Sequence, residues 1–265
     1  MILYEVPGLC GLEIWHGISR GSSLYRLREN RREYFEALRD FLVRLHHGDA
    51  VTEDPEDTGA LSKAAGFERA VLCGGEALDP MLEPVLCNEP PPFEIHIDAA
   101  GQFAARGGAF EIFTAMNWQL GVALDLGQMQ LKMITARGDC SLPRDLSRLP
   151  FGADALEADA GRERVRALIA AGLTRGAALL GSPPDGVVLG LPVALDRDGV
   201  ARPASYPGLF GPVDDMFSFE IPTVVLNDAV LAALGFQPKN DEKTLVVTLG
   251  FGIGAALWTA AGRIG

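Results

Sequence analysis

The chain has 265 residues, 48% of them hydrophobic and 22% charged, with a formal net charge of −12 at pH 7. That is enough apolar material for one large domain or two lobes. The acidic balance argues against a general nucleic-acid binder, because nothing offsets repulsion from phosphate.

The first residues, Met1-Ile2-Leu3-Tyr4-Glu5-Val6-Pro7, have no basic region or cleavage site and do not read as a signal peptide. No run of about 18 uninterrupted apolar residues occurs, so no membrane contact is expected. Cys10, Cys73, Cys87 and Cys140 are scattered. Without a CxxC pair or a Cys/His cluster, neither structural zinc nor a disulfide framework is expected. A soluble cytoplasmic protein follows from these features.

A basic run from Arg26 to Arg32 opens a helical stretch and reads as a solvated face. Residues 29–46 carry Tyr34, Phe35, Leu38, Phe41, Leu42 and Leu45 at helical spacing. His46-His47 close that helix, where imidazole suits the carbonyl end of the dipole. Residues 48–59 are acidic and turn-rich, a loop. Residues 70–72 form a short buried strand, with Asp79 as N-cap of a following helix. Pro90-Pro91-Pro92 is a rigid connector. Residues 93–97 alternate as a strand, and 101–117 are helical, interrupted by Gly107-Gly108.

Two strands joined by a tight turn follow, at 120–126 and 129–135. A loop with Pro143 and Pro150 leads to a long helix around 160–180. Residues 186–191 are a strand ending at Pro192. Residues 222–226 are another, feeding a short helix over 228–234. A polar break at 236–242 precedes a last hairpin, 243–249 with 255–259. Alternating strands and helices make the class α/β.

Three strands run into glycine turns: Cys73-Gly74-Gly75-Glu76, Asp125-Leu126-Gly127-Gln128 and Leu249-Gly250-Phe251-Gly252-Ile253-Gly254. Glycine after a strand lets backbone N–H groups approach phosphate without a Cβ clash. It serves any tight hairpin equally. Asn227-Asp228 at a strand end reads either as a helix N-cap or as a functional pair.

Together these segments resemble the ROK family (repressors, open reading frames and sugar kinases) of the actin-like ATPase superfamily, a ribonuclease H-like fold of two α/β lobes. Leu124-Asp125-Leu126-Gly127 resembles the first phosphate motif, and Val188 to Asp196 the strand and turn at the sugar pocket. Ser205-Tyr206-Pro207-Gly208 is similar to the loop after it. Ile221 to Ala229, with Ala232-Ala233-Leu234-Gly235, resembles the catalytic segment. Leu249 to Gly254 resembles the second phosphate motif. The family's later segments have their counterparts at the front of this chain. Val71 to Leu78 resembles the adenosine motif, and Arg106-Gly107-Gly108-Ala109-Phe110 the start of the closing helix. The resemblance therefore implies a circular permutation. One lobe spans 118–235, and the other combines 236–265 with 1–117.

The resemblance implies ATP-dependent phosphorylation of a sugar or sugar-like small molecule, with Asp228 as the catalytic base. Asn227, Ser205, Glu13 and His16 are the implied substrate ligands; for Glu13 and His16 the alternative is an ordinary exposed turn. Gly127, Gly250, Gly252, Gly254, Gly74 and Gly75 are the implied nucleotide-binding positions. ATP and Mg²⁺ are the implied cofactors, with Asp125 holding the metal, and a homodimer is left open. The chain also departs from the family pattern. Gln128, Met129 and Gln130 stand where the first phosphate motif has Gly, Thr and Lys, and Phe251 stands at a Thr position. These changes open a second reading, a non-catalytic sugar- or nucleotide-binding relative.

Overall fold

The computed structural model describes residues 2–3, 12–15, 27–49, 64–99, 101–127, 129–144, 158–193, 195–196, 198–201, 209–238, 242–250 and 253–258. In chain order the elements are β1 (Ile2–Leu3), β2 (Leu12–Trp15), α1 (Arg31–His47), β3 (Arg69–Cys73), α2 (Leu82–Asn88), β4 (Glu94–Ile97) and α3 (Arg106–Ala115). Then come β5 (Gly121–Leu126), β6 (Gln130–Thr135), β7 (Gly138–Pro143), α4 (Ala158–Leu180) and β8 (Gly186–Leu191). The chain continues through β9 (Val200–Ala201), β10 (Gly211–Pro212), α5 (Val213–Met216), β11 (Thr223–Asn227) and α6 (Asp228–Ala233). It ends in β12 (Thr244–Leu249) and β13 (Ile253–Trp258). No helix among the described residues is long and apolar enough to cross a membrane.

The elements fall into two compact units. The first joins Met1–Cys10 to Ala105–Gly235, and the second joins Gly11–Ala104 to Phe236–Gly265. Each has its own sheet and its own apolar core.

In the first unit the sheet order is β1-β11-β8-β5-β6-β7. β5, β6 and β7 form an antiparallel meander, while β8, β11 and β1 extend it in parallel beyond β5. β5, β8 and β11 are buried along their whole length. That is why they read as unbroken apolar runs rather than alternating ones. α4 packs on β5 and β6, with Val165 and Ile169 joining Leu124, Leu131 and Met133 in the core.

α3 is continuous through Gly107-Gly108 rather than interrupted there. The glycines serve a backbone-to-backbone crossing instead. A Cβ on Gly108 would lie 1.8 Å from the Leu231 carbonyl oxygen, and one on Gly107 would lie 2.8 Å from the Gly235 Cα. α3 therefore seats directly on the end of α6.

In the second unit the sheet order is β2-β13-β12-β3-β4. β12, β13 and β2 form an antiparallel meander, and β3 and β4 extend it in parallel beyond β12. α1 buries Tyr34, Phe35, Leu38, Leu42 and Leu45 along one stripe. Each such side chain contributes roughly 1.5–3 kcal/mol by leaving water. Gly48, at φ 79°, closes the helix in the left-handed conformation. His46 is more than a solvated end. Its Nδ1–H donates to the Phe67 carbonyl at 2.8 Å, and its ring meets those of Phe67 and Phe93. Asp79 does not cap α2, whose N-cap is Met81. It accepts from the Met81 N–H at 2.9 Å and from Arg31 Nε at 2.9 Å.

The two sheets share one plan: a meander of three strands, with two parallel strands added beyond the first. In the first unit the plan is filled in chain order by β5, β6, β7, β8 and β11, with α4 between the third and fourth positions. In the second it is filled by β12, β13, β2, β3 and β4, with α1 between the third and fourth positions.

The α3–α6 crossing is testable. Gly108→Ala should destabilise the protein by about 3 kcal/mol or more, since backbone must move, and thermal unfolding should show a Tm several degrees lower. Gly75→Ala, whose Cβ would meet nothing within 4 Å, is the control expected to leave Tm nearly unchanged.

Candidate functional site

The carboxyl ends of the parallel strands in the first unit bring together the residues with chemistry. Asp125 lies in β5 one residue from its end, and Asp228 follows the last residue of β11. The register pairs Asp125 with Gly190 on β8, and Gly190 with Leu226 on β11. Paired positions share a face of the sheet. Gly190 therefore puts no side chain between Asp125 and the Asp228 end of β11. A Cβ there would stand 3.6 Å from Asp125 Oδ1 and 2.9 Å from Leu231 Cδ2. In open α/β sheets the crevice outside these strand ends is where ligands bind.

A third charged group stands with the two carboxylates. β6 pairs with β5 so that Lys132 sits opposite Asp125. Its ammonium donates to Asp125 Oδ2 at 2.7 Å, with the two side chains 18% and 7% exposed. The Asp228 carboxyl is pushed up to about 7. Burial is the main cause and the Asp125 charge adds to it; Lys132 and the Ala229 N–H act the other way. At neutral pH Asp228 is thus divided between its protonated and charged forms, as suits a group that exchanges protons there.

Asn227 is largely committed to structure. Its Oδ1 accepts from the Ala229 and Val230 N–H groups at 2.9 and 3.3 Å, and its Nδ2 donates to the Val193 carbonyl at 3.0 Å. It is the N-cap of α6 and ties that helix to the end of β8. The Gly127 N–H donates to the Gln130 carbonyl at 3.0 Å, which closes the hairpin. Arg144 Nη1 donates to the Gly127 carbonyl at 2.7 Å, bringing a guanidinium to the same turn.

Lys132 and Arg144 are absent from the sequence-based set. The register that sets Lys132 against Asp125 is not fixed by the glycine turn alone: a hairpin closed at 127–128, as strands at 120–126 and 129–135 imply, would set residue 130 there instead.

In the second unit Gly74 and Gly250 lie at neighbouring strand ends, since β3 and β12 pair in parallel up to Cys73 and Thr248. Gly74 has φ 98°, and a Cβ there would come within 2.4 Å of the Leu249 carbonyl oxygen. Only glycine suits that approach. Gly75 faces open space. Gly254 is in β13, where its carbonyl accepts from Thr248 Oγ1 at 3.2 Å. Glu13 lies in β2 opposite Leu257, with β13 between it and β12. Ser205, His16, Gly252, Gln128 and Phe251 lie outside the described residues.

Direct coordination of Mg²⁺ by Asp125 Oδ2 does not fit: Mg²⁺ takes carboxylate oxygens at about 2.0–2.1 Å within a near-octahedral shell, whereas Oδ2 already accepts an ammonium at 2.7 Å.

No protein-family model matches the chain, and no curated protein matches it. Among solved structures, a ROK hexokinase from Thermus thermophilus aligns with 52% of this chain at 22% identity, with a TM-score of 0.34. The alignment spans 46% of that hexokinase, less than half its length. At that TM-score it assigns no residue a role.

Two outcomes follow from the geometry. Because its folded-state value lies above the ordinary one, Asp228 favours folding at low pH, and that contribution is lost as pH rises from about 4 through 7. Asp228→Asn should therefore be more stable than wild type by up to roughly 4 kcal/mol at pH 8, with the gap closing near pH 4. Tm measured across this range reads it. Asn227→Ala should cost about 2 kcal/mol through loss of the cap. Asn227→Ser, which still accepts from the helix N–H groups, should recover much of that Tm.

Proposed function

We propose that the chain is an ATP-dependent kinase of a hydroxylated small molecule, a sugar or sugar-like compound, with Asp228 as general base. The observation that carries this reading is the Asp228 carboxyl, mostly enclosed by protein and titrating near neutrality beside Asp125 and Lys132 at the carboxyl ends of the strands.

In the proposed step the Asp228 carboxylate accepts the proton of the substrate hydroxyl. The hydroxyl oxygen bonds to the γ-phosphorus, and the bond from phosphorus to the β,γ-bridging oxygen breaks with its electron pair leaving on ADP. Asn227 positions Asp228 by capping α6. Its remaining amide N–H is the group we assign to a substrate hydroxyl. The turns at Gly127 and Gly250 are assigned to phosphate, and Gly74 with Gly75 to the nucleoside. Ser205, His16, Glu13, Gly252 and Gly254 keep their proposed binding roles.

The shared plan of the two sheets supports the actin-like ATPase reading, with its two α/β lobes. The order β12, β13, β2, β3, β4 supports the permuted reading, because the second unit follows the first unit's order only from Thr244 onward. On this proposal 118–235 is one lobe, and 236–265 with 1–117 the other.

A second reading has its own observation. Gln128, Met129, Gln130 and Phe251 remove the hydroxyls and the lysine of the phosphate motifs, which favours a binding relative without phosphoryl transfer. Activity separates the two. A kinase releases ADP with some member of a sugar panel. Its kcat/KM rises about tenfold per pH unit below 7 and levels off above, and Asp228→Asn loses about 100-fold or more. A binding relative is stabilised by a sugar without ADP release, and Asp228→Asn leaves that affinity intact. The absence of any thermal shift with ATP at millimolar levels, with or without Mg²⁺, would end the kinase reading.

A further inference from the structure

We propose that Lys132 takes the place of a divalent metal at Asp125, so that the phosphate-bearing ligand of this site binds without Mg²⁺. The inference rests on the reading of the Gly127 turn as a phosphate cradle.

Four observations carry it. The ammonium of Lys132 holds Asp125 Oδ2 at 2.7 Å, and both side chains are largely enclosed. The pair is not easily opened, since withdrawing the lysine would leave a buried carboxylate uncompensated. Lys132 Nζ also lies 3.9 Å from the point where a Cβ on Gly127 would stand. The cation therefore sits at the glycine turn itself, where a phosphate oxygen would be received. Next, residues two apart in a strand share a face. A lysine expected at Gln130 and found at Lys132 stays on the same face of β6, one pleat further along. The register places it against Asp125 rather than beyond the turn. Finally, the Arg144 guanidinium, from just past the end of β7, is bonded to the Gly127 carbonyl at 2.7 Å, a second fixed cation at the same turn. Two such cations supply locally the positive charge that a nucleotide otherwise brings with its metal.

Calorimetric titration of ADP and ATP into the full chain, in EDTA and then in Mg²⁺, tests this. In wild type the Kd should change by less than about threefold between the two conditions. Lys132→Met should weaken binding in EDTA by roughly tenfold or more, the value of one charged hydrogen bond, and Mg²⁺ should restore part of it. Lys132→Arg, which keeps the charge, should bind in EDTA. If Lys132→Met does not fold, as read by circular dichroism, wild type and Lys132→Arg decide.

Wild-type binding that appears only with Mg²⁺ overturns the inference and leaves the phosphate-binding reading standing. Undiminished EDTA binding in a folded Lys132→Met also overturns it. No nucleotide binding in either condition overturns the inference together with the proposed function.

Discussion

The register between β5 and β6 is the constraint on which the first unit's chemistry depends. Asp125 is nearly inaccessible to solvent, and a carboxylate so placed needs a partner of opposite charge. The hairpin provides one from its own second strand, because the register sets residue 132 against residue 125. Slipping the pair by one residue would send Lys132 to the other face of the sheet and Leu131 or Met133 toward the carboxylate. The apolar face of β6 opposite Lys132 forbids that slip. Leu131 and Met133 are fully buried and would lose their places in the core together with the ion pair.

From that register the rest of the site follows outward. β8 lies beside β5 with Gly190 in line with Asp125, and the missing side chain lets Leu231 of α6 pack close to that strand. β11 lies beside β8 and ends at Asn227, whose side chain starts α6 and so sets Asp228. α3 then clamps the far end of α6 through glycine contacts to Leu231 and Gly235. Asp228 is therefore held from both ends of a short helix, by a cap at one and by backbone packing at the other.

Much of this is legible in the sequence. The buried strands announce themselves as apolar runs, and α1 by its stripe from Tyr34 to Leu45. Asp125 and Asp228 stand out as charges closing such runs. What is not legible depends on pairing between distant segments. β7, from Gly138 to Pro143, is half-buried and edge-placed, so its pattern is too mixed to read as a strand. Gly107-Gly108 look like a helix break, because only the approach of α6 explains them. Asp79 has the residue type of an N-cap, but Arg31 and the Met81 N–H claim it. Lys132 reads as an ordinary strand residue until its cross-strand partner is known.

The interleaving of the second sheet bears on how the protein emerges from the ribosome. All strands of the first sheet except the short β1 come from one continuous stretch, Ala105–Gly235, so that unit is complete before β12 exists. β3 has the opposite experience. Its Ala70–Cys73 segment is fully buried in the finished fold, yet the strand that pairs along one side of it, Thr244–Leu249, is made much later. Until then β3 and β4 present an apolar, unpaired edge to their surroundings. The β3–β4 segment is thus open to mis-pairing during translation until β12 and β13 are made to close it.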